Sequence, residues 1–429
     1  MTVSGWDADV AVIGLGAWGS AALWQLAVRG VDVVGVDRFV PGHAWGASHG
    51  GSRMYRITCL EHPGLVPLAR RSGELWRDLE EASGEELFVR SGGLLIGPPD
   101  GPITGGTLRA AEAHGIEVET MSAAELGDRY PLHAAVPAGH IGVREASAGI
   151  VRPEASIRAA VGLARSAGAR VLTGSQVIGV SAVHGGAEVV TATGRVRVRH
   201  AVVTVGAWLQ TLVPGLPLET IRMPICWFRP ADGKGENRGN GENRGNGENR
   251  GNGEGSGNGE GSGNGENRGN GEGSGNGEGS GKDFGLDRFP VFMREVDGGQ
   301  VLWGNGRENG HDVKLGLEYG GGGFRPVDPE DTDRSVGAED WSDLVRLLEV
   351  CVPGLDPVPA RVAVGIFSRT ADGQFVIGSP GGDARLIVAG GCNAHGGKHA
   401  LGIGEALADL VTEGETRIPL GFARVDRFG

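Results

Sequence analysis

Cysteine is scarce in this chain: four among 429 residues (Cys59, Cys226, Cys351 and Cys392), none in a C-x-x-C pair. That pattern excludes a disulfide framework and a cysteine zinc site, and no metal is expected. No apolar run approaches the roughly 20 residues needed to span a bilayer. The N-terminus also lacks a basic segment followed by an apolar stretch and a small-residue cleavage site. The expectation is a soluble, cytoplasmic protein without a membrane partner. Basic charge is not in excess either: the net charge is −13, which argues against nonspecific nucleic-acid binding. One whole tract lacks apolar residues. Residues 235–282 are eight hexads, GENRGN or GEGSGN with a final GEGSGK. Such a tract can bury nothing to offset the entropy of ordering it, and it has no hydrophobic face to stack as a solenoid. A disordered loop over 233–282, with no function assigned, is expected. It holds eight Glu against four Arg and one Lys, a net −3 that leaves about −10 on the remainder.

Against these absences, residues 9–39 are dense in signal. An apolar run meets Gly14, Gly16 and Gly19 in a G-x-G-x-x-G turn, a helical segment follows, and a second apolar run ends in Asp37. Gly14 allows the tight turn, Gly16 lets a pyrophosphate approach the backbone, and Gly19 lets helix and strand pack closely. The phosphates would sit on free N–H groups at the helix N-terminus. An acid at Asp37 suits the two ribose hydroxyls and disfavours a 2′-phosphate. The unit reads as dinucleotide-binding, and no second complete fingerprint follows, which favours an enzyme using one nucleotide.

Farther along, residues 46–56 crowd His49, Arg53 and Arg56 among small residues. An amphipathic helix over 65–79, a strand at 91–97, and helix, strand and short helix over 105–130 follow. A helix from 153 and a strand at 170–172 restore βαβ character. Hairpins are expected at 188–198 and around residues 297–299, with a further strand at 312–316 and a helix over 341–351. Residues 385–407 read as strand, glycine-rich loop and helix, and that helix N-terminus is a second source of partial positive charge.

These residues together resemble the monomeric sarcosine oxidase and N-methyltryptophan oxidase family, within the D-amino-acid-oxidase-like FAD amine oxidases. The resemblance spans nearly the whole chain outside the hexads. Ser48-His49-Gly50-x-x-Arg53-x-x-Arg56 looks like the family's flavin-contacting segment, and His395-Gly396-x-Lys398 like its H-G-x-K motif. The resemblance implies that His49 and Arg53 lie against the flavin, and that Arg56 and Lys398 share the substrate carboxylate. Lys314, in V-K-L-G, is similar to the family's lysine that activates oxygen, and Trp303 stands where a tyrosine often lines the substrate cavity. Ser48, Arg38, Val177, Gly206, Trp208, Gly396, Gly397 and Lys398 complete the cofactor contacts it implies, beside Gly14, Gly16, Gly19 and Asp37. Three departures stand out. Gly365 replaces the cysteine that links the flavin, so noncovalent FAD is expected. Glu318 stands where a histidine is frequent, and Phe367 replaces a gating tyrosine, so both bear on substrate choice.

The fold implied is α/β (α+β overall): a discontinuous Rossmann-like FAD-binding domain (7–90, 146–218 and 355–429) with an antiparallel-sheet substrate domain (91–145 and 219–354). The activity implied is oxidation of a secondary amino acid, N-methyl or cyclic, to the imine, with oxygen reduced to hydrogen peroxide, in a monomer. Two alternatives stay open: a cyclic imino-acid oxidase or dehydrogenase in a biosynthetic pathway, and a non-catalytic flavin-binding subunit.

Overall fold

The computed structural model describes residues 5–231, 282–318, 325–331 and 333–428. The tract expected to be disordered lies outside these, apart from Lys282. Strand β1 (Ala8–Ile13) is buried along almost its whole length, as an uninterrupted apolar run must be when both faces of a parallel sheet are covered. It pairs in parallel with Gly194–Val203 on one side and with β2 (Val33–Val36) on the other. The parallel order extends through Arg170–Leu172 beyond β2 and through Leu386–Gly390 beside Gly194–Val203. Antiparallel strands Val177–Val183, Gly186–Thr191 and Val376–Gly378 complete eight strands.

Helix α1 (Ala17–Val28) connects β1 to β2 and is buried on nearly every side. A helix apolar all round needs cover all round, and the helices Pro153–Ser166 and Ala400–Thr412 supply it. The contact with the latter is close: a Cβ on Gly404 would stand 2.4 Å from that of Ala21. No helix among the described residues is long and apolar enough to cross a membrane.

A second sheet of nine strands carries its own apolar core, centred on Phe228, Phe289, Phe292 and Leu315. Its pairings are antiparallel except one: Gly93–Gly97 runs parallel to Val291–Val296. Here two antiparallel ribbons, far apart in sequence, meet edge to edge, and no hairpin dictates their relative direction. Arg361–Arg369, assigned with residues 355–429 to the nucleotide unit, pairs along its whole length with Glu219–Phe228 in the nine-stranded sheet. The 46–56 segment ends in a short strand, β3 (Arg53–Tyr55), in a three-stranded sheet with Gly149–Val151 and Phe88–Val89.

Candidate active site

A cavity of about 400 Å³ opens at the turn after β1 and reaches the junction of the two large sheets. Gly14, Gly16, Asp37, Arg38, Val177, Gly206 and Trp208 line its outer part, and Ser48, Arg53, Phe367, Gly396 and Gly397 its inner part. Gly14 has φ +86°, and a Cβ there would lie 2.8 Å from the Thr204 carbonyl oxygen. A Cβ on Gly19 would fall 1.8 Å from the Gly14 oxygen. Both positions are therefore closed to any side chain. Gly16 is different: its nearest neighbour is Ser48 Oγ at 3.6 Å, so its role is to leave backbone bare to the cavity. No side chain caps α1; apart from Ala17 N–H, which donates to Ser48 Oγ at 3.2 Å, its first turn offers free donors to an anion.

Asp37 is buried and accepts 2.6 Å hydrogen bonds from Leu15 N–H and Phe39 N–H. It thus fixes the glycine turn as well as offering its remaining lone pairs to a ribose. Arg38 pairs across the sheets with Glu330 at 3.2 Å. This bare-backbone cradle with an acid at the end of β2 fits the pyrophosphate and ribose of a dinucleotide.

At the inner end, Glu154 organises the glycines of the 48–56 motif. Its carboxylate accepts from Gly50 N–H at 2.6 Å and Gly51 N–H at 3.1 Å. Burial favours its neutral form, but these N–H groups and Arg53 hold its pKa below the usual carboxylate value. Arg53 donates to Ser52 O at 2.8 Å and Ala47 O at 2.7 Å, and its stem packs under Gly397. His49 is buried, and its Nε2 has no hydrogen-bond partner among the described residues. Burial, reinforced by Arg53, pushes its pKa down to about 3, so the ring is neutral at working pH. A Cβ on Gly365 would sit 3.2 Å from that nitrogen.

Lys314 is buried and donates to Ser52 O, and at 3.2 Å to Ser52 Oγ. Ser52 Oγ in turn donates to Asn305 Oδ1 at 2.9 Å, and Asn305 is the cross-strand partner of Lys314. Burial, with Arg53 nearby, depresses the lysine pKa well below its ordinary value. Lys314, Gly316 and Glu318 share one face of the strand Val313–Glu318, because side chains alternate. Trp303 lies over Gly316, where a Cβ would meet its ring at 2.1 Å, and its ring centroid is 6.0 Å from Lys314 Nζ.

Arg56 and Lys398 do come together, although 342 residues separate them in sequence, and what joins them is Glu61. Arg56 Nη2 and Lys398 Nζ each donate to Glu61 Oε1 at 2.8 Å. Arg56 also donates to Thr58 O, and Lys398 to His395 O at 3.3 Å. Glu61 Oε2 is buried with no hydrogen-bond partner among the described residues. Burial opposes ionisation of Glu61, yet Arg56 and Lys398 hold its pKa well below the ordinary range. The two expected carboxylate-binding cations therefore already hold an internal carboxylate. Nothing in the sequence flags Glu61: its spacing from Arg56 matches no helical or strand period, and its second partner is remote. Lys398 and His49, expected among the cofactor contacts, do not line the cavity, nor do Arg56, Lys314, Trp303 and Glu318. The helix after Gly397 starts with a 3₁₀ turn, Gly396–His399, before Ala400–Thr412.

Glu318 completes this cluster. Burial, and secondarily the charge of Glu61, raise its pKa to about 7, while Lys398 and Arg56 act the other way. Below the ordinary carboxylate range the side chain is protonated in both folded and unfolded chains. As pH rises toward 7 only the unfolded chain releases its proton, so stability falls over that interval. Glu318→Gln is thus expected to raise Tm at pH 8 relative to the parent, with the gain shrinking toward pH 4.5. Melting curves across that range check it, and a gain independent of pH would contradict the assignment. Cys392 lines the cavity, but burial raises its thiol pKa, which leaves it protonated and a poor nucleophile.

Residues 9–251 and 275–410 match the family described as FAD dependent oxidoreductase (DAO). A monomeric sarcosine oxidase from Streptomyces avermitilis is 30% identical over 420 residues, covering 96% of this chain and 96% of the relative. An N-methyl-L-tryptophan oxidase from Salmonella enteritidis is 28% identical over 420 residues, covering 98% and 99%. Among solved structures, the open form of NikD, an unusual amino acid oxidase essential for nikkomycin biosynthesis, superposes with a TM-score of 0.75 at 20% identity over 97% of each chain.

Proposed function

Because the chain belongs to the family of FAD-dependent oxidoreductases, we propose that it oxidises a secondary amino acid, N-methylated or cyclic, to the imine, with oxygen reduced to hydrogen peroxide. One observation carries the substrate class: Arg56 and Lys398, both buried, converge on a single carboxylate oxygen. Buried cations aimed at one point form a receptor for an anion, and guanidinium matches a carboxylate with its planar fork. A substrate carboxylate competes with Glu61 for these donors and is thereby anchored beside Trp303 and Glu318. FAD held in this cradle would supply the hydride acceptor for oxidation at the carbon next to nitrogen and the path of the electrons to oxygen. On this reading Arg53, which lines the cavity, and neutral His49 next to it would help hold the flavin. Lys314, screened from water behind Ser52, offers positive charge or a proton where reduced oxygen develops negative charge. Phe367 and Trp303 wall the space for the substrate side chain.

The direct test is anaerobic addition of sarcosine, N-methyltryptophan, proline and pipecolate to the purified protein while following flavin absorbance. Bleaching by one of them, with peroxide on readmission of air, is the expected result. No bleaching by any would contradict the proposal, and bleaching without peroxide would contradict the oxygen step.

We further propose that FAD is held without a covalent bond and that the protein acts as a monomer. Gly365 offers no nucleophile, and the thiol of Cys392 is protonated. Acid precipitation is expected to leave the flavin in the supernatant, and a yellow pellet would overturn the point.

A further inference from the structure

We propose that Glu318 is the counter-charge for the amine of the substrate, so that the site selects carboxylates bearing a cationic nitrogen over their uncharged isosteres. The inference rests on the carboxylate-binding reading of Arg56 and Lys398. It begins with a charge count. Arg56 and Lys398 bring two positive charges, and Glu61 brings one negative charge that both of them share. The enclosed cluster is therefore at +1 without Glu318. An amino acid enters as a zwitterion and adds nothing to that sum, so a buried positive charge would persist beside the substrate ammonium. A buried net charge is costly unless paired. Ionised Glu318 brings the sum to zero.

Geometry supports the same assignment. Glu318 points from the strand Val313–Glu318 to the face that also carries Lys314 and supports the Trp303 ring. The charged groups it faces are Glu61, Lys398 and Arg56. His395, whose carbonyl receives Lys398, is neutral because burial depresses its pKa to about 4. Alongside Glu318, the second oxygen of Glu61 is buried and unpartnered among the described residues. The cluster therefore holds more carboxylate acceptor capacity than its own cations use, and that surplus suits the N–H donors of an ammonium. In the free protein burial favours the protonated form of Glu318, and arrival of an ammonium favours its ionised form. Binding of a zwitterion is thus linked to proton release below that pH.

The test uses calorimetric titration of the dithionite-reduced holoenzyme under nitrogen, where no turnover occurs. Two isosteric pairs serve as probes: sarcosine with butanoate, and proline with cyclopentanecarboxylate. At pH 8.5 the amino acid of at least one pair is expected to bind about tenfold or more tighter than its uncharged partner. That preference should shrink as pH falls through 7, with protons released on binding the amino acid alone. Glu318→Gln should abolish the preference while the uncharged acids bind as in the parent or tighter. Equal affinities within both pairs at pH 8.5, or a preference unchanged in Glu318→Gln, would overturn the role of Glu318 and leave the carboxylate clamp standing. Failure of all four acids to bind would remove the clamp, and this inference with it. The pH dependence of the parent alone decides the matter should the variant not accumulate.

Discussion

Arg56→Met is expected to weaken binding of a simple carboxylate such as butanoate by roughly 2–5 kcal/mol, the range for truncating one member of a buried, hydrogen-bonded charge pair. That is a loss of about 30-fold to several thousandfold in Kd. The guanidinium is almost completely buried and directs one donor at Glu61 and another at Thr58 O. Methionine fills a similar volume without charge, so the change isolates the fork. Arg56 does not line the nucleotide cavity, and FAD content should therefore match the parent. Arg56→Lys should fall between the two, because an ammonium restores the charge but not the planar pair of donors. Titration of each variant with butanoate, alongside the ratio of flavin to protein, gives both readings. An unchanged Kd in Arg56→Met would remove the carboxylate role of this side chain.

Glu61→Gln should move two quantities in opposite directions. Glutamine leaves the charges of Arg56 and Lys398 uncompensated in an interior site, and breaking a buried pair in this way costs about 3–5 kcal/mol of stability. The melting temperature should fall at neutral pH. Carboxylate affinity should rise, because the internal competitor is gone. Saturating butanoate should then recover more of the lost stability in the variant than it adds to the parent, as expected for a ligand that binds only the folded state. The parent has its own pH signature. The pKa of Glu61 is depressed by Arg56 and Lys398 against the effect of burial. Its stabilising contribution is present above the ordinary carboxylate range and is lost as pH falls through the depressed value. A Tm unaffected by Glu61→Gln at pH 7 would show that the pair contributes nothing to the fold.

Much of the frame could be read from sequence because its requirements are local. Gly14 and Gly19 have backbone neighbours too close for any Cβ, and such demands leave glycine in place. An unbroken apolar run before them and Asp37 after them define β1 and β2 in the same way. The 48–56 motif and the H-G-x-K motif were visible as resemblances, and the fold brings Arg56 and Lys398 to the same atom. What escaped was set by distance along the chain. Glu61 matters because the folded chain delivers Lys398 to it, and no spacing rule contains that fact. Glu154 looks like an ordinary acid in the first turn of a helix, yet it holds the backbone of Gly50 and Gly51. The partner of Arg361–Arg369 is hidden for a related reason. A strand's apolar pattern specifies burial but not a partner, and Glu219–Phe228, its partner, is remote in sequence. The parallel junction of Gly93–Gly97 with Val291–Val296 is likewise invisible to any reading based on hairpins.

The nucleotide fold also has an order of arrival. β1 and α1 leave the ribosome among the first thirty residues, but Leu386–Gly390 and Ala400–Thr412, which finish the sheet and cover α1, are translated last. At about 5–20 residues per second, the interval is roughly 20 to 80 s. Throughout it the face of α1 that packs on Ala400–Thr412 has no cover, and the glycine turn lacks the inner wall that Gly396 and Gly397 provide. The cofactor is therefore a late guest. A nascent chain interrupted before residue 386 carries the whole fingerprint of the nucleotide site but not the wall that Ala389 to Leu401 complete.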